Sequence, residues 1–398
     1  MFFRTCSLGH NVAVAAIILT ATALGLLAAC SSSTSLSTPS AAPSPSSGNS
    51  ICPAVTVTMA QGPLTGVAPM PAPAPVPPPT PGSTNAGSVC VSDPFDGATV
   101  SSPAHVQASA TLVNPIDHMR VYVDGVPIFF SWFNVVDALL FMDPGSHHLV
   151  VVATDKNNND VSTSFDITVS GTAGTPEAVS NLQNFSGWEP CGQLYPPGHP
   201  RAGQICASGA PGTVASMTQN QASPSLSGSS AKFSIAGPTG YEIELWTNYF
   251  GGGNNTSHFT YDLYFMLDNG AAAQGLEFDV NQTFGNRRWV YGTECNFKGT
   301  GRWDVWDSPS NMWHPTSVPC TAFPSNTWIH LVWQFERIGD QVHYISVSVN
   351  DQTFPVDAYY QSQPNWTIEG IDVAFQMDGD STQTPYTVWL DKVNLITW

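Results

Sequence analysis

The chain is 398 residues long and 42% hydrophobic but only 10% charged, with a formal net charge of −18. That length accommodates two domains and their connections, while a chain so poor in cations cannot neutralise a phosphate backbone, which excludes nucleic acid as a partner. Low charge, 33 glycines, 33 prolines and almost no helical periodicity predict an all-β, exported protein.

Residues 1–10, MFFRTCSLGH, carry one arginine; Asn11 to Ala29 is a run of apolar and small residues closed by Leu27-Ala28-Ala29-Cys30. Residues 1–29 resemble a bacterial lipoprotein signal peptide, whose final motif precedes a cysteine that is acylated and becomes the mature N-terminus. The resemblance implies lipidation of Cys30, and hence a membrane contact through a lipid anchor. Ser31 stands where an aspartate would signal inner-membrane retention in that family, so an outer-membrane or cell-surface location is implied. A transmembrane helix is the weaker alternative, because the run is short and ends in a serine tract rather than a basic stop.

With Cys6 removed and Cys30 lipidated, Cys52, Cys90, Cys191, Cys206, Cys295 and Cys320 remain, an even number suited to disulfides in an oxidising compartment. Order and spacing favour neighbours, Cys52 with Cys90, Cys191 with Cys206 and Cys295 with Cys320, although sequence alone leaves the connectivity open. No CxxC or Cys/His cluster suggests zinc.

Residues 30–88 read as a Ser/Pro-rich linker. Ser31 to Ser50 cannot bury a core, whereas PMPAPAPVPPPTPGS at 69–83 favours extended polyproline II, a stiff spacer rising ~3.1 Å per residue. Residues 89–171 then read as a compact β unit. Strand runs at His105 to Leu112 and Met119 to Val123 precede a tight turn at Asp124-Gly125, and HHLVVVATDKNNNDVSTSFDITVS supplies two further strands around a polar turn. Pro94-Phe95-Asp96-Gly97, Val121 to Gly125 and Gly145 to Asp155 together resemble the bacterial immunoglobulin-like domains of surface proteins. The resemblance implies a spacer or presentation module. The oxygen-rich run Asp155 to Asp160 could collect calcium, but it lacks the EF-hand register and reads more simply as a hairpin turn.

GTAGTPEA at 171–178 reads as a connection, and residues 172–398 as one larger domain. Strand candidates are Ala231 to Ile235, Tyr241 to Trp246, Thr260 to Leu267, Leu276 to Asn281, Arg288 to Cys295, Thr327 to Glu336, Val342 to Val349, Ile371 to Met377 and Thr387 to Ile396. Such a series without an amphipathic helix predicts two packed antiparallel sheets. GLEFDVNQ, NTWIHLVWQFER, HYISVSVND and the terminal VWLDKVNLITW resemble, in that order, the concanavalin A-like lectin/glucanase jelly roll, the grouping that includes laminin G-like and laminarinase-like modules. The resemblance implies a curved sandwich whose concave sheet holds a glycan. The fold class expected is therefore an immunoglobulin-like β-sandwich followed by a concanavalin A-like jelly-roll β-sandwich.

In GLEFDVNQ, Glu277, Asp279 and Asn281 alternate with Leu276, Phe278 and Val280, which puts the polar side chains on one face. The glucanase members of the family carry E-x-D-x-E, with nucleophile, middle carboxylate and general acid in turn. Here Glu277 and Asp279 match, but Asn281, or Gln282 after a bulge, stands at the acid, and neither amide protonates a leaving group. A hairpin with loop residues 283–287 would pair Asp279 with Val290 and Glu277 with Gly292, leaving Glu294 diagonal to Glu277 at roughly 7–8 Å. Glu277, Asp279 and Glu294 are then the catalytic candidates. A one-residue slip would instead set Trp289, Tyr291 and Thr293 beside Glu277 and Asp279.

A glycan-binding surface would combine Glu277, Asp279 and Asn281 with the aromatics Trp289, Tyr291, Trp303, Trp306 and Trp313, since indole faces stack on pyranose C–H faces. GRWDVWDSPSNMWHP reads as a long loop closed by Cys295 and Cys320, although tryptophans also fill cores. For Trp328, Trp333 and Trp389, inside apolar strands, core packing is the expectation. The resemblance implies that Asp378 and Asp380 could hold calcium at a sheet edge, as some members of that fold do, although an ordinary turn is the simpler reading; His330, Gln334 and Glu336 share one strand face, and Glu242 and Glu244 another. The leading expectation is a surface lipoprotein presenting a glycan-binding domain on a spacer; the alternatives are an endo-acting glycoside hydrolase of β-glucan or a related polysaccharide, and a protein-binding adhesin.

Overall fold

The computed structural model describes residues 87–190, except 173 and 187, together with 214–236, 243–364, 370–379 and 384–398. Cys30, Cys52, Cys191, Cys206 and Asp380, and with them the lipidation and two of the expected disulfides, lie outside the described residues.

Eight strands come first: β1 (Ser88–Asp93), β2 (Ala98–Ser101), β3 (Ala104–Thr111), β4 (Ile116–Val123), β5 (Val126–Ser131), β6 (Val135–Phe141), β7 (Gly145–Asp155) and β8 (Asp160–Ser170). Their period is two: in β3, Ala104, Val106, Ala108 and Ala110 are buried while the residues between them are not. Strands β2, β8, β7, β4 and β5 form one sheet in that order, and β1, β3 and β6 lie side by side in another. A core that includes Val106, Met119, Val121, Leu140, Leu149 and Val151 lies between them. Asp124 and Gly125 both have positive φ, 51° and 80°, the pairing a two-residue hairpin turn requires. The DKNNND stretch is a turn organised by Asp155, whose Oδ1 accepts the backbone N–H groups of Asn157 and Asn159 at 2.8 and 2.9 Å.

The second group comprises β9 (Glu177–Val179), β10 (Glu189–Pro190), β11 (Val214–Gln221), β12 (Ser230–Ala236), β13 (Ile243–Gly252), β14 (His258–Leu267), β15 (Ala273–Phe284), β16 (Arg287–Tyr291), β17 (Thr293–Asn296), β18 (Arg302–Asp307) and β19 (Met312–Pro319). It continues with β20 (Ile329–Ile338), β21 (Gln341–Val349), β22 (Gln352–Gln361), β23 (Gln363–Pro364), β24 (Gly370–Gly379) and β25 (Tyr386–Thr397). One sheet runs β11-β12-β25-β14-β20-β21-β22, and the other continues β13-β24-β15-β17-β18-β19. Phe278, Val280, Leu331, Trp333, Phe335, Phe375, Val388 and Leu390 fill the core between them. The chain is thus all-β, in three sheets around two cores; the single helical piece among the described residues is the 3-10 turn Leu182–Asn184. No helix among them is long and apolar enough to cross a membrane.

The two groups share a sheet. Strand β6 pairs in parallel with β13, Leu140 with Gly251 and Phe141 with Gly252. The run Gly251-Gly252-Gly253 permits this approach: Gly252 has φ +75°, and a Cβ there would strike the Phe141 carbonyl, so only glycine fits. Residues 171–178, expected as a connection alone, also contribute β9, whose Val179 pairs with Leu395 of β25.

Two expectations change. The segment 301–315 is not a loop but most of the β18–β19 hairpin, joined to β17 through Glu294–Asp304 pairing. The β15–β16 connection is two residues, Gly285 and Asn286, both with positive φ of 56° and 66°, the geometry that matches strand twist in a tight hairpin. This shorter turn moves the register by two residues from the one anticipated, and parity is therefore kept. Cys295 and Cys320 form the expected disulfide, Cα–Cα 5.6 Å, bracketing the hairpin. Cys90 is also disulfide-bonded.

Candidate functional site

The outer face of the larger sheet carries the polar half of every central strand. On β15, Leu276, Phe278 and Val280 are fully buried in the core, so Gly275, Glu277, Asp279 and Asn281 point the other way. The neighbour β24 has the same alternation: Asp378 stands opposite Gly275, Gln376 opposite Glu277, Ala374 opposite Asp279 and Asp372 opposite Asn281. On the far side Glu294 lies directly opposite Glu277, not diagonal to it, and Asp304 directly opposite Glu294. One row across four strands therefore reads Gln376, Glu277, Glu294, Asp304.

These groups are deeply placed: Glu277 and Asp279 are 9% exposed, Glu294 5%, Asp304 1%, Asp372 2% and Asp378 3%. The Gln376 amide donates to Glu277 and, at 3.0 Å, to Asp378. Asp279 accepts the Thr293 backbone N–H at 2.9 Å. Asn281 donates to Asp372 at 2.7 Å, and the Arg288 guanidinium holds the same carboxylate at 3.1 Å. Gly275 leaves the room this requires, since a Cβ there would overlap Glu294 Oε1 and sit 3.2 Å from Asp378 Oδ2. Among the described residues, no hydrogen bond reaches the Glu294 carboxyl, and Asn281 Oδ1 is buried without a partner.

Burial and mutual repulsion hold protons on this face. Burial first, then the Asp378 and Asp304 charges, pushes Glu294 up to about 8. Burial raises Asp279 to about 7, against the opposing Thr293 N–H, and raises Asp378 to about 7 against the Gln376 amide. Glu277 is pushed well above the carboxylate range by burial and then by Asp378, Asp279 and Glu294. Asp372 is raised by burial although Arg288 and Asn281 oppose it.

The aromatic candidates divide between the two faces. Trp303 is fully buried and packs edge-on against Trp333 at 5.5 Å; Tyr291 is fully buried beside Phe259 and Phe335. Trp289, 3% exposed, stacks on Phe284 at 4.7 Å and donates to the Gly339 carbonyl. These three are core residues and not a ligand platform, because the observed register turns them inward. Trp306 and Trp313 remain: both half-buried, paired across β18 and β19, ring centroids 5.0 Å apart. They cover Gly292, whose Cβ would lie 2.9 Å from Trp306 Cβ and 3.5 Å from Trp313 Cη2, so they border the acidic row on its own face.

Other candidates fall elsewhere. Gln282 faces the core and donates to the carbonyls of Gly253 and Thr256 at 2.6 and 2.8 Å. His330 is on the opposite sheet, bonded to Asp262 at 2.8 Å and stacked on Tyr264; Gln334 accepts from Ser346, and Glu336 meets His258 and His343. Glu242 lies outside the described residues, and Glu244 pairs with the core position Met377. Asp378 belongs to the acidic face. No group of three or more His, Cys, Asp or Glu among the described residues is arranged to hold a metal ion. Asp304, Asp372, Gln376 and Arg288 were not singled out from sequence; IDVAFQMD at 371–378 repeats the alternation of GLEFDVNQ, and that is the signal that identifies Asp372 and Gln376.

No family model matches the chain, and no curated protein does. Solved structures similar to it include carbohydrate-binding modules of a β-sandwich superfamily, 11% identical over 78% of this chain and 98% of that one, TM-score 0.29. Others are carbohydrate-binding module CBM66 from Bacillus subtilis (12% identity, 46% and 92% covered, TM-score 0.23) and the lectin UEA-II complexed with galactose (9%, 47% and 92%, 0.28).

Proposed function

We propose that the outer face of β13-β24-β15-β17-β18-β19 binds a carbohydrate chain, in a concanavalin A-like jelly roll joined to an immunoglobulin-like sandwich. The observation that carries this is the juxtaposition of the half-buried Trp306–Trp313 pair with a row of carboxyl and amide groups on one sheet face. An indole wall takes the C–H face of a pyranose, while carboxylates and amides take its hydroxyls. The lipobox-like Leu27 to Cys30 and the proline-rich linker support a lipid-anchored protein that displays this face at the cell surface.

Binding measured by titration calorimetry against neutral β-glucans, galactans and amino-sugar polymers tests the reading. Trp306→Ala should weaken binding about tenfold, roughly 1.4 kcal/mol, the scale of one lost aromatic contact. Absence of binding to every polysaccharide class would overturn it.

A second reading, retaining glycoside hydrolysis, is favoured by Glu294 lying directly opposite Glu277. Such positions carry Cβ atoms about 4.5–5.5 Å apart, compatible with the carboxyl separation of about 5–5.5 Å that a retaining pair needs. Glu294, raised to about 8, holds a proton at neutral pH as a general acid must. Glu277 would be the nucleophile and must lose its proton to act, a step the Gln376 amide favours but burial and the Asp378, Asp279 and Glu294 charges oppose. Reducing-end release from a soluble β-glucan or galactan, abolished in Glu277→Gln, is the expected result; activity surviving that substitution rejects the assignment.

A further inference from the structure

We propose that the carbohydrate taken by this face carries free, protonated amino groups, and that glycans bearing uronate or sulfate are rejected; the inference rests on the carbohydrate reading above.

The charge arrangement is the starting point. Six buried carboxyl groups, Glu277, Asp279, Glu294, Asp304, Asp372 and Asp378, converge from β15, β17, β18 and β24. Facing them, Arg288 from β16 is spent on Asp372. Arg302, at the rim near Asp304, is bonded to the carbonyls of Thr316 and Ser317, and Tyr249 of β13 lies near Arg288. In the middle of the row the leading charges acting on Glu277 and Glu294 are all negative. A uronate or sulfate placed here would add like charge in a site shielded from water, where repulsion is strong.

The hydrogen-bonding inventory points to the same ligand. The Glu294 carboxyl has no bond among the described residues, and Asn281, 4% exposed, leaves its Oδ1 buried and unpartnered. With its carboxyl groups ionised, what this face lacks is donors. An ammonium group supplies three donors and no acceptor, whereas a hydroxyl supplies one donor and brings lone pairs that also need satisfying. Trp306 and Trp313 beside the row offer ring faces for the sugar body and a favourable neighbourhood for a cation.

Ammonium binding would also displace protons. With Glu294 raised to about 8 and Asp279 and Asp378 to about 7, part of this face is neutral at pH 7, and a bound cation restores the ionised forms, releasing protons to solvent.

The test is calorimetry at pH 7 on the whole protein in two buffers of different ionisation enthalpy, with three probes of equal length: β-linked glucosamine, N-acetylglucosamine and galacturonic acid oligosaccharides. The glucosamine oligosaccharide should bind at least tenfold more tightly than its N-acetylated counterpart, with net proton release, and the galacturonate should not bind. Glu294→Gln, close in shape, should shrink both the preference and the release, and Asp378→Asn should do the same if the first variant folds poorly. Equal affinity for the amine and acetamide forms, or a preference for galacturonate, overturns the inference while leaving the carbohydrate reading standing. Binding of no saccharide removes both.

Discussion

At the scale of single residues, Trp303 and Trp306 show how burial divides along one strand. Trp303 is fully buried and Trp306 half-buried, and between them lies the alternation that gives one to the core and the other to the acidic face. Trp303→Ala should therefore cost about 3–5 kcal/mol of stability, read from urea denaturation. Trp306→Ala should leave stability within about 1 kcal/mol and act on ligand affinity. Asn281 is the complementary case. It stands where the glucanase motif that this strand resembles has an acid, but its amide donates to Asp372, so a carboxylate there would lose that bond and face a like charge. Asn281→Asp should destabilise the protein by roughly 2 kcal/mol at pH 7, and by less at pH 5, where protonation relieves the repulsion.

At the scale of elements, the two-residue turn Gly285-Asn286 sets the site. It fixes the β15–β16 register and so brings Glu294 level with Glu277; a longer loop would have left them diagonal. Gly285 has φ +56°, where a Cβ costs about 1–2 kcal/mol, so Gly285→Ala should lower stability by about that amount. One residue inserted after Gly285 would threaten the register and, through it, ligand binding. The seam at Gly252 is stricter, because a side chain would collide with the Phe141 backbone. Gly252→Ala should lower the midpoint of denaturation by more than Gly285→Ala does, measured side by side.

At the scale of the whole molecule, the buried acids give stability a defined pH dependence. Glu294, Asp279 and Asp378 have folded values of about 8, 7 and 7, against about 4 in an unfolded chain. Between those limits the folded state binds more protons than the unfolded one, so stability falls as pH rises from about 4 to 8. Asp391 acts in the opposite direction: burial would raise it, but hydrogen bonds from Ser227, Ser225 and Leu226 bring it below the usual value. Its contribution, present above about 4, is lost as pH falls further. The melting temperature should therefore peak in mild acid and be lower at pH 8 than at pH 5 by at least about 5 °C, measured by scanning fluorimetry. Asp378→Asn should flatten that slope.

What the sequence determined by itself was everything that follows from local pattern. Period-two alternation gave the all-β class and most strands, the Asp124-Gly125 turn, and the face shared by Glu277, Asp279 and Asn281; spacing gave the Cys295–Cys320 bond. Tertiary structure decided what depends on which strands become neighbours. Adjacency of β15 to β24 added Asp372, Gln376 and Asp378 to the site from nearly a hundred residues away along the chain, a relation no local pattern encodes. Register turned Trp289, Tyr291 and Trp303 inward and left Trp306 and Trp313 on the acidic face. The physical reason is that a strand's two faces are fixed locally by the pleat, whereas the partner, the register and the burial of each face are set by long-range packing.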